Sequence, residues 1–151
     1  MISIITIGKK HENWVRQGIE RYQQRLQRPR DVKWSIIAHS AFDGAKARQD
    51  ESKRILSRLN SRDFVIVLDE RGKLLDSPAL AQSIDQAFAD SRPLVFVIGG
   101  AYGVAKEVRE RADLVWSLSP LVFPHQLVRL ILVEQLYRAQ EISRGGKYHH
   151  G

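Results

Sequence analysis

His125 follows Phe123-Pro124 and falls in the first turn of the helix that the next stretch predicts. A helix start carries backbone N–H groups without partners and the positive end of the macrodipole. An anionic or carbonyl group can be held there, with His125 as its general base; a capping or packing role suits the same position. Four residues on, Arg129 stands nearly alone among Leu127, Val128, Leu130, Ile131, Leu132 and Val133. A guanidinium in such a segment needs a partner or a solvent-lined gap, because an unpaired buried charge is strongly destabilising. Glu134 and Arg138 are four apart in the favourable order for an intrahelical pair. The tail Lys147-Tyr148-His149-His150 brings a phenol and two imidazoles to the end of the chain. His125, His149 and His150 lack the spacing of a zinc site, so no metal is expected. The chain has no cysteine, which excludes disulfides, thiolate metal sites and cysteine nucleophiles.

These groups act only where the fold gathers them. Ile2 to Ile7 is a β-branched run closed by Gly8, a buried strand. Trp14, Val15, Gly18, Ile19, Tyr22 and Leu26 then repeat at helical spacing, and that helix ends near Pro29. Val32 to Ala38 reads as a second strand, and residues 47–60 as a helix burying Ile55, Leu56 and Leu59. Phe64 to Leu68 is a third strand, followed by a loop over Asp69 to Gly72. Ser77 reads as the N-cap of the next helix, with Pro78 at its first position and Leu80, Ile84 and Phe88 inside. Leu94 to Ile98 is a fourth strand; a short helix over 104–111 leads to a fifth, Leu114 to Leu118. The last helix opens at Phe123-Pro124 and ends at Gly145-Gly146.

Strands alternating with helices predict one α/β domain with a mostly parallel sheet. Ligands of such sheets gather at the carboxyl ends of strands. Three ends stand out, at Leu68–Gly72, Gly99–Gly103 and Leu118–Phe123. The second, IGGAYG, has neither the dinucleotide fingerprint nor the lysine of a P-loop. Its glycine pair lets the backbone approach a ligand closely, or serves a tight turn that needs positive φ.

Length and charge narrow the partners. A chain of 151 residues, 43% hydrophobic and 27% charged, has the bulk and balance of one globular domain. Its net charge of +7 is uneven: residues 1–62 hold 14 Lys/Arg against 6 Asp/Glu, and residues 63–151 hold 10 against 11. A one-sided basic half suits a polyanion, most simply nucleic acid; a solvated basic face is the plainer account. No apolar run approaches the length of a bilayer span, and the first charges follow the apolar N-terminal stretch, the wrong order for a secretory signal. A soluble cytoplasmic protein without membrane contact is therefore expected. The last helix is apolar on most sides, which predicts that a second subunit covers one of them in a homodimer.

FVIGGAYG (Phe96–Gly103) and SLSPLVFPHQLVRLILVEQLYRAQEISRGGKYHHG (Ser117–Gly151) resemble the ribosomal RNA large-subunit methyltransferase H family of the SPOUT class, as does IGKKHENWVRQGIERYQQRL (Ile7–Leu26). The resemblance covers essentially the whole chain. It implies a single SPOUT domain over residues 1–151, with helices on both faces of the sheet and a C-terminal trefoil knot. It also implies S-adenosyl-L-methionine held by Leu68, Gly99, Leu118, Ser119, Pro120, Leu121, Val122 and Phe123, the three strand ends already picked out. The substrate it implies is N3 of a pseudouridine in a stem-loop of 23S rRNA, within the assembled 70S ribosome.

N3–H is a poor nucleophile until its proton leaves, so a base belongs beside it. The expected catalytic residues are His125, Arg129, Arg138, Tyr148 and His149. His149 or His125 would take or relay the proton, while Tyr148 and an arginine orient the base. The family's homodimer places a tail beside the partner's cofactor, which makes a composite site. Arg16, Arg21, Arg25, Arg28, Lys46, Arg48, Lys53 and Arg54 are the candidates for phosphate contacts. The competing readings are a SPOUT methyltransferase acting on another RNA such as tRNA, and a non-catalytic RNA- or ribosome-binding protein.

Overall fold

The computed structural model describes residues 1–151. Its strands are β1 (Ile2–Ile7), β2 (Val32–Ile37), β3 (Phe64–Leu74), β4 (Leu94–Ile98) and β5 (Leu114–Ser117). Between and after them come α1 (Asn13–Gln23), α2 (Gly44–Ser57), α3 (Ser77–Ala89), α4 (Lys106–Arg111) and α5 (His125–Ser143). All strand pairs are parallel, in the order β2-β1-β4-β3-β5.

Alternation along the strands sorts the side chains into two cores. Ile2, Ile4, Ile66, Phe96 and Trp116 pack with Val15 and Ile19 of α1, Leu80 and Ile84 of α3, and Leu132 and Leu136 of α5. Ile5, Ile7, Val65, Val67, Val95 and Val97 pack on the other face with Ile55 of α2 and Val108 of α4. Helices therefore cover both faces. β4 lies between β1 and β3 and is buried along its whole length, which is why LVFVI is uninterrupted rather than alternating. The topology keeps one crossover hand. β1 to β2 and β3 to β4 step one way under α1 and α3, while β2 to β3 and β4 to β5 step the other way under α2 and α4. No helix is long and apolar enough to cross a membrane.

The boundaries differ from the sequence reading in ways that have physical causes. β3 does not stop at Leu68: the chain bulges over 69–72 and pairs again with β5 through Lys73 and Leu74. Gly72 permits that return, since a Cβ there would stand 2.6 Å from the Val115 backbone. The N-cap of α3 is Asp76 rather than Ser77; its carboxylate accepts the Ala79 N–H at 2.9 Å, and the Ser77 hydroxyl donates instead to Gln135 on α5. α1 ends at Gln23, and its inward stripe is Val15 and Ile19. Trp14 points outward, 54% exposed, and its indole donates to Glu12.

Gly72→Ala should press a methyl group into the β5 backbone, where no side chain can yield. The expected loss is about 1–3 kcal/mol of stability, read as a lower urea midpoint with an unchanged slope.

Candidate functional site

A cavity of about 480 Å³ opens at the carboxyl ends of β3, β4 and β5. Leu68 to Arg71 form one wall and Ile98 to Val104 a second; Leu118 and Leu121 to Phe123 form a third, with His125 and Val128 of α5 and Arg48 of α2 completing the lining. Of the expected cofactor residues, Leu68, Gly99, Leu118, Leu121, Val122 and Phe123 are brought together here. Ser119 and Pro120 lie outside the lining. Ser119 shapes the loop instead: its hydroxyl accepts the Leu121 N–H at 3.0 Å, and its carbonyl accepts the Ser117 hydroxyl at 3.1 Å.

The glycine pair is required by crowding. A Cβ on Gly99 would meet Val104 Cγ1 at 2.8 Å, and one on Gly100 would meet Glu51 Oε1 at 2.5 Å. The positive φ of this turn falls on Gly103, at +76°, whose N–H donates to the Gly100 carbonyl at 3.0 Å. α2 braces the turn from behind, since Ser52 Oγ accepts the Ala105 N–H at 2.8 Å.

Asp69 and Arg71 add charge to the opposite wall. Burial works against the Asp69 carboxylate, yet hydrogen bonds from the Arg71 backbone and guanidinium hold its pKa below the usual range. The guanidinium is raised in turn by the same pair. Neither residue was singled out from the sequence as a site residue, because the bulge that turns them into the cavity depends on pairing with β5. Arg48, grouped by sequence with the RNA-facing cations, is half-buried in the cavity wall.

His125 stands at the rim with its pKa pulled below 6.5, by burial first and then by the Arg129 charge; the Gly99 backbone and the Glu51 charge partly offset both. The ring is therefore neutral at neutral pH. A neutral imidazole keeps a lone pair on one nitrogen, as a proton acceptor requires.

Arg129 lies one turn further along α5 and does not line the cavity. It is 1% exposed, and its partners are the Lys9 carbonyl at 2.8 Å and His11 Nδ1 at 3.3 Å, not a carboxylate. Burial lowers its pKa. Burial and the Arg129 charge also depress His11, whose ring stands edge-on to Trp34 at 4.5 Å. The sequence showed the need for a partner but not its identity, which comes from a turn more than a hundred residues away.

The remaining candidates gather elsewhere. Arg138 binds Glu134 through Nε at 2.8 Å and Nη2 at 2.7 Å, places Nη1 3.2 Å from His149 Nδ1, and lies 4.7 Å over the Tyr148 ring. Burial, then the Tyr22 hydroxyl and Glu134, push Tyr148 up to about 12, so it remains a phenol and a donor. His149 lines a second cavity of about 530 Å³, with Trp116, Ile131 and Gln135, which shares Leu118 and Phe123 with the first. About 20 Å of helix separates His125 from Arg138 at 1.5 Å per residue. Within one chain the five candidates thus form two groups.

A family model described as "Predicted SPOUT methyltransferase" matches residues 1–149. Among curated relatives, a ribosomal RNA large subunit methyltransferase H of Desulfitobacterium hafniense (strain DSM 10664 / DCB-2) is 39% identical over 156 residues, covering 98% of each chain. That of Geobacter metallireducens is 40% identical over 151 residues, covering 99% of this chain and 98% of the relative. Among solved structures, a probable methylase family protein from Haemophilus influenzae superposes with a TM-score of 0.55 at 12% identity, covering 99% of this chain and 70% of that one. The last likeness concerns the fold alone.

His11 and His125 both have depressed pKa values in the fold, so below 6.5 the unfolded chain binds more protons than the folded one. Stability should accordingly be full above about pH 6.5 and fall as acid drives the pH through the lower folded values. Urea midpoints between about pH 7.5 and pH 5 check this, and His125→Gln should flatten part of the decline.

Proposed function

The chain belongs to the SPOUT methyltransferase family, and on that premise we propose that it methylates ribosomal RNA, moving a methyl group from S-adenosylmethionine to N3 of a pseudouridine of 23S rRNA in the 70S ribosome. The observation that carries this reading is the cavity at the ends of β3, β4 and β5, with a neutral imidazole at its rim. Its size lies in the range of small-molecule sites. Leu118, Leu121, Val122 and Phe123 supply apolar walls, and the 99–103 turn lines the opposite side with backbone.

When bound, S-adenosylmethionine supplies a sulfonium-activated methyl group. Leu68, Gly99, Leu118, Leu121, Val122 and Phe123 would hold this cofactor, which would supply the methyl carbon to deprotonated N3, the sulfur keeping the C–S electron pair and departing as S-adenosylhomocysteine. The protein's tasks are alignment and removal of the N3 proton. His125 accepts that proton, its burial and then the Arg129 charge keeping the ring unprotonated until then. Tyr148, as a donor, and Arg138 hold the base, with His149 as a relay.

Arg138, with the Tyr148 ring against it, lies more than three turns along α5 from His125, while the cavity that His149 lines adjoins the first at Leu118 and Phe123. In this reading a homodimer lets one protomer's tail complete the partner's site. Supporting it, Leu121 and Val122 beside the cavity are 69% and 81% exposed, and Leu127, Leu130 and Ile131 on α5 are only half-buried. Residues 1–151 act as one domain in this reading, and a cytoplasmic setting follows from the ribosome as substrate. The C-terminal knot belongs to it as well: after β5 lands beyond β3, α5 returns to pack against both α1 and α3. Arg16, Arg21, Arg25 and Arg28 lie exposed on and just after α1, where phosphates could reach them; Arg16 pairs with Glu20, and Arg25 lies over the Tyr137 ring.

Radiolabelled S-adenosylmethionine should label 23S rRNA in ribosomes that lack the modification. Label in tRNA or naked rRNA alone would move the substrate, and no label with no cofactor binding by calorimetry would leave an RNA-binding protein. His125→Ala should lower kcat by about 10²–10⁴-fold with a smaller change in cofactor affinity. Full methylation by both Tyr148→Phe and His149→Ala would remove the tail from the mechanism.

A further inference from the structure

Arg129 is walled off from the cofactor cavity and faces a second gathering of polar groups. It heads the largest fully buried side chains of the protein, yet only its Nη1 has a hydrogen-bond partner. Nε is buried with none. Nη2 points toward Gly8: a Cβ there would stand 3.2 Å from it and 3.4 Å from His39 Nε2. Gly8, at φ +134° and without a side chain, leaves a narrow notch between the β1–α1 and β2–α2 turns, with the unpartnered Nη2 on one side and the His39 imidazole on the other. His39, Lys9 and Lys10 are exposed around it.

Other charged or titratable groups nearby are Glu51, Glu12 and His125. Glu51 is buried; its Oε2 accepts the Ser40 N–H at 2.9 Å, and its Oε1, turned to Gly100, has no hydrogen-bond partner. Glu12 is exposed; its carboxylate accepts the Trp14 indole, and its N–H donates to Gln126. His125 lines the cofactor cavity instead. No side chain caps α5, so the amides of its first turn add positive potential.

We propose that this notch is a phosphate subsite: Arg129 and His39, with His11 behind the guanidinium, take one backbone phosphodiester of the RNA beside the cofactor cavity. The phosphate's owner rests on the RNA-methylating reading above. S-adenosylmethionine carries no phosphate, and its carboxylate has Arg48 and Arg71 within its own cavity. A phosphate held here fixes the register of the strand, so that the target nucleotide reaches His125.

The test uses the full chain and inorganic phosphate, following the imidazole signals of all five histidines by NMR. His39 and His11 should move together and saturate, while His149 and His150 stay unmoved. His39→Ala, at an exposed position, should weaken phosphate binding about tenfold, and Arg129→Lys by a similar factor, because an ammonium lacks the planar fork. Unaltered phosphate affinity in His39→Ala would overturn the proposal. So would displacement of phosphate by S-adenosylhomocysteine, which would assign the notch to the cofactor's carboxylate. Methyl transfer without phosphate binding sinks the subsite and leaves the enzyme; saturable phosphate binding without methyl transfer does the reverse.

Discussion

Burial of β4 on both faces is the constraint from which the site follows. A strand flanked by β1 and β3 and covered above and below has no room for polar side chains, and its chain leaves the sheet only at its end. That exit is crowded by Val104 and by Glu51 of α2, so two glycines stand there. The crossover to β5 then passes beyond β3, so that the loops after β3, β4 and β5 converge. The cavity lies where they meet.

α5 joins this cavity to the rest of the molecule. Its inner residues Leu132, Val133, Leu136 and Ala139 are buried against the sheet, α1 and α3, each large apolar side chain contributing about 1.5–3 kcal/mol. That anchoring carries the cost of desolvating Arg129, which amounts to several kcal/mol for an ion. The arginine tethers the β1–α1 turn through the Lys9 carbonyl, and its charge helps to keep His125 unprotonated. One buried cation therefore shapes both a loop and a base. A carboxylate in its place would stabilise the imidazolium and leave less of the ring unprotonated at neutral pH.

Much of this was legible from local chemistry. Period-two and period-3.6 patterns located all ten elements, the parallel sheet and the three strand ends. The Glu134–Arg138 pair followed from spacing, and the match of the C-terminal motifs agrees with the family shown by whole-chain similarity. The misreadings share a cause. Asp76 rather than Ser77 caps α3 because Ser77 finds Gln135 on another helix. Asp69 and Arg71 enter the cavity because β3 bulges and re-pairs with β5, and Arg48 turns from the basic surface into the wall because α2 packs against the glycine turn.

The sequence by itself determined what each segment is and which residue types it carries: a buried parallel sheet, a basic first half, and a last helix with an arginine that needs a partner. Those properties depend on neighbours within a few residues, through backbone sterics and hydrophobic period. Only the tertiary structure decided what Arg129 touches, that His125 is buried at a cavity rim, and that the tail packs on Arg138. Such facts depend on atoms brought together from distant parts of the chain, and no local periodicity encodes a distance of a few ångströms between them.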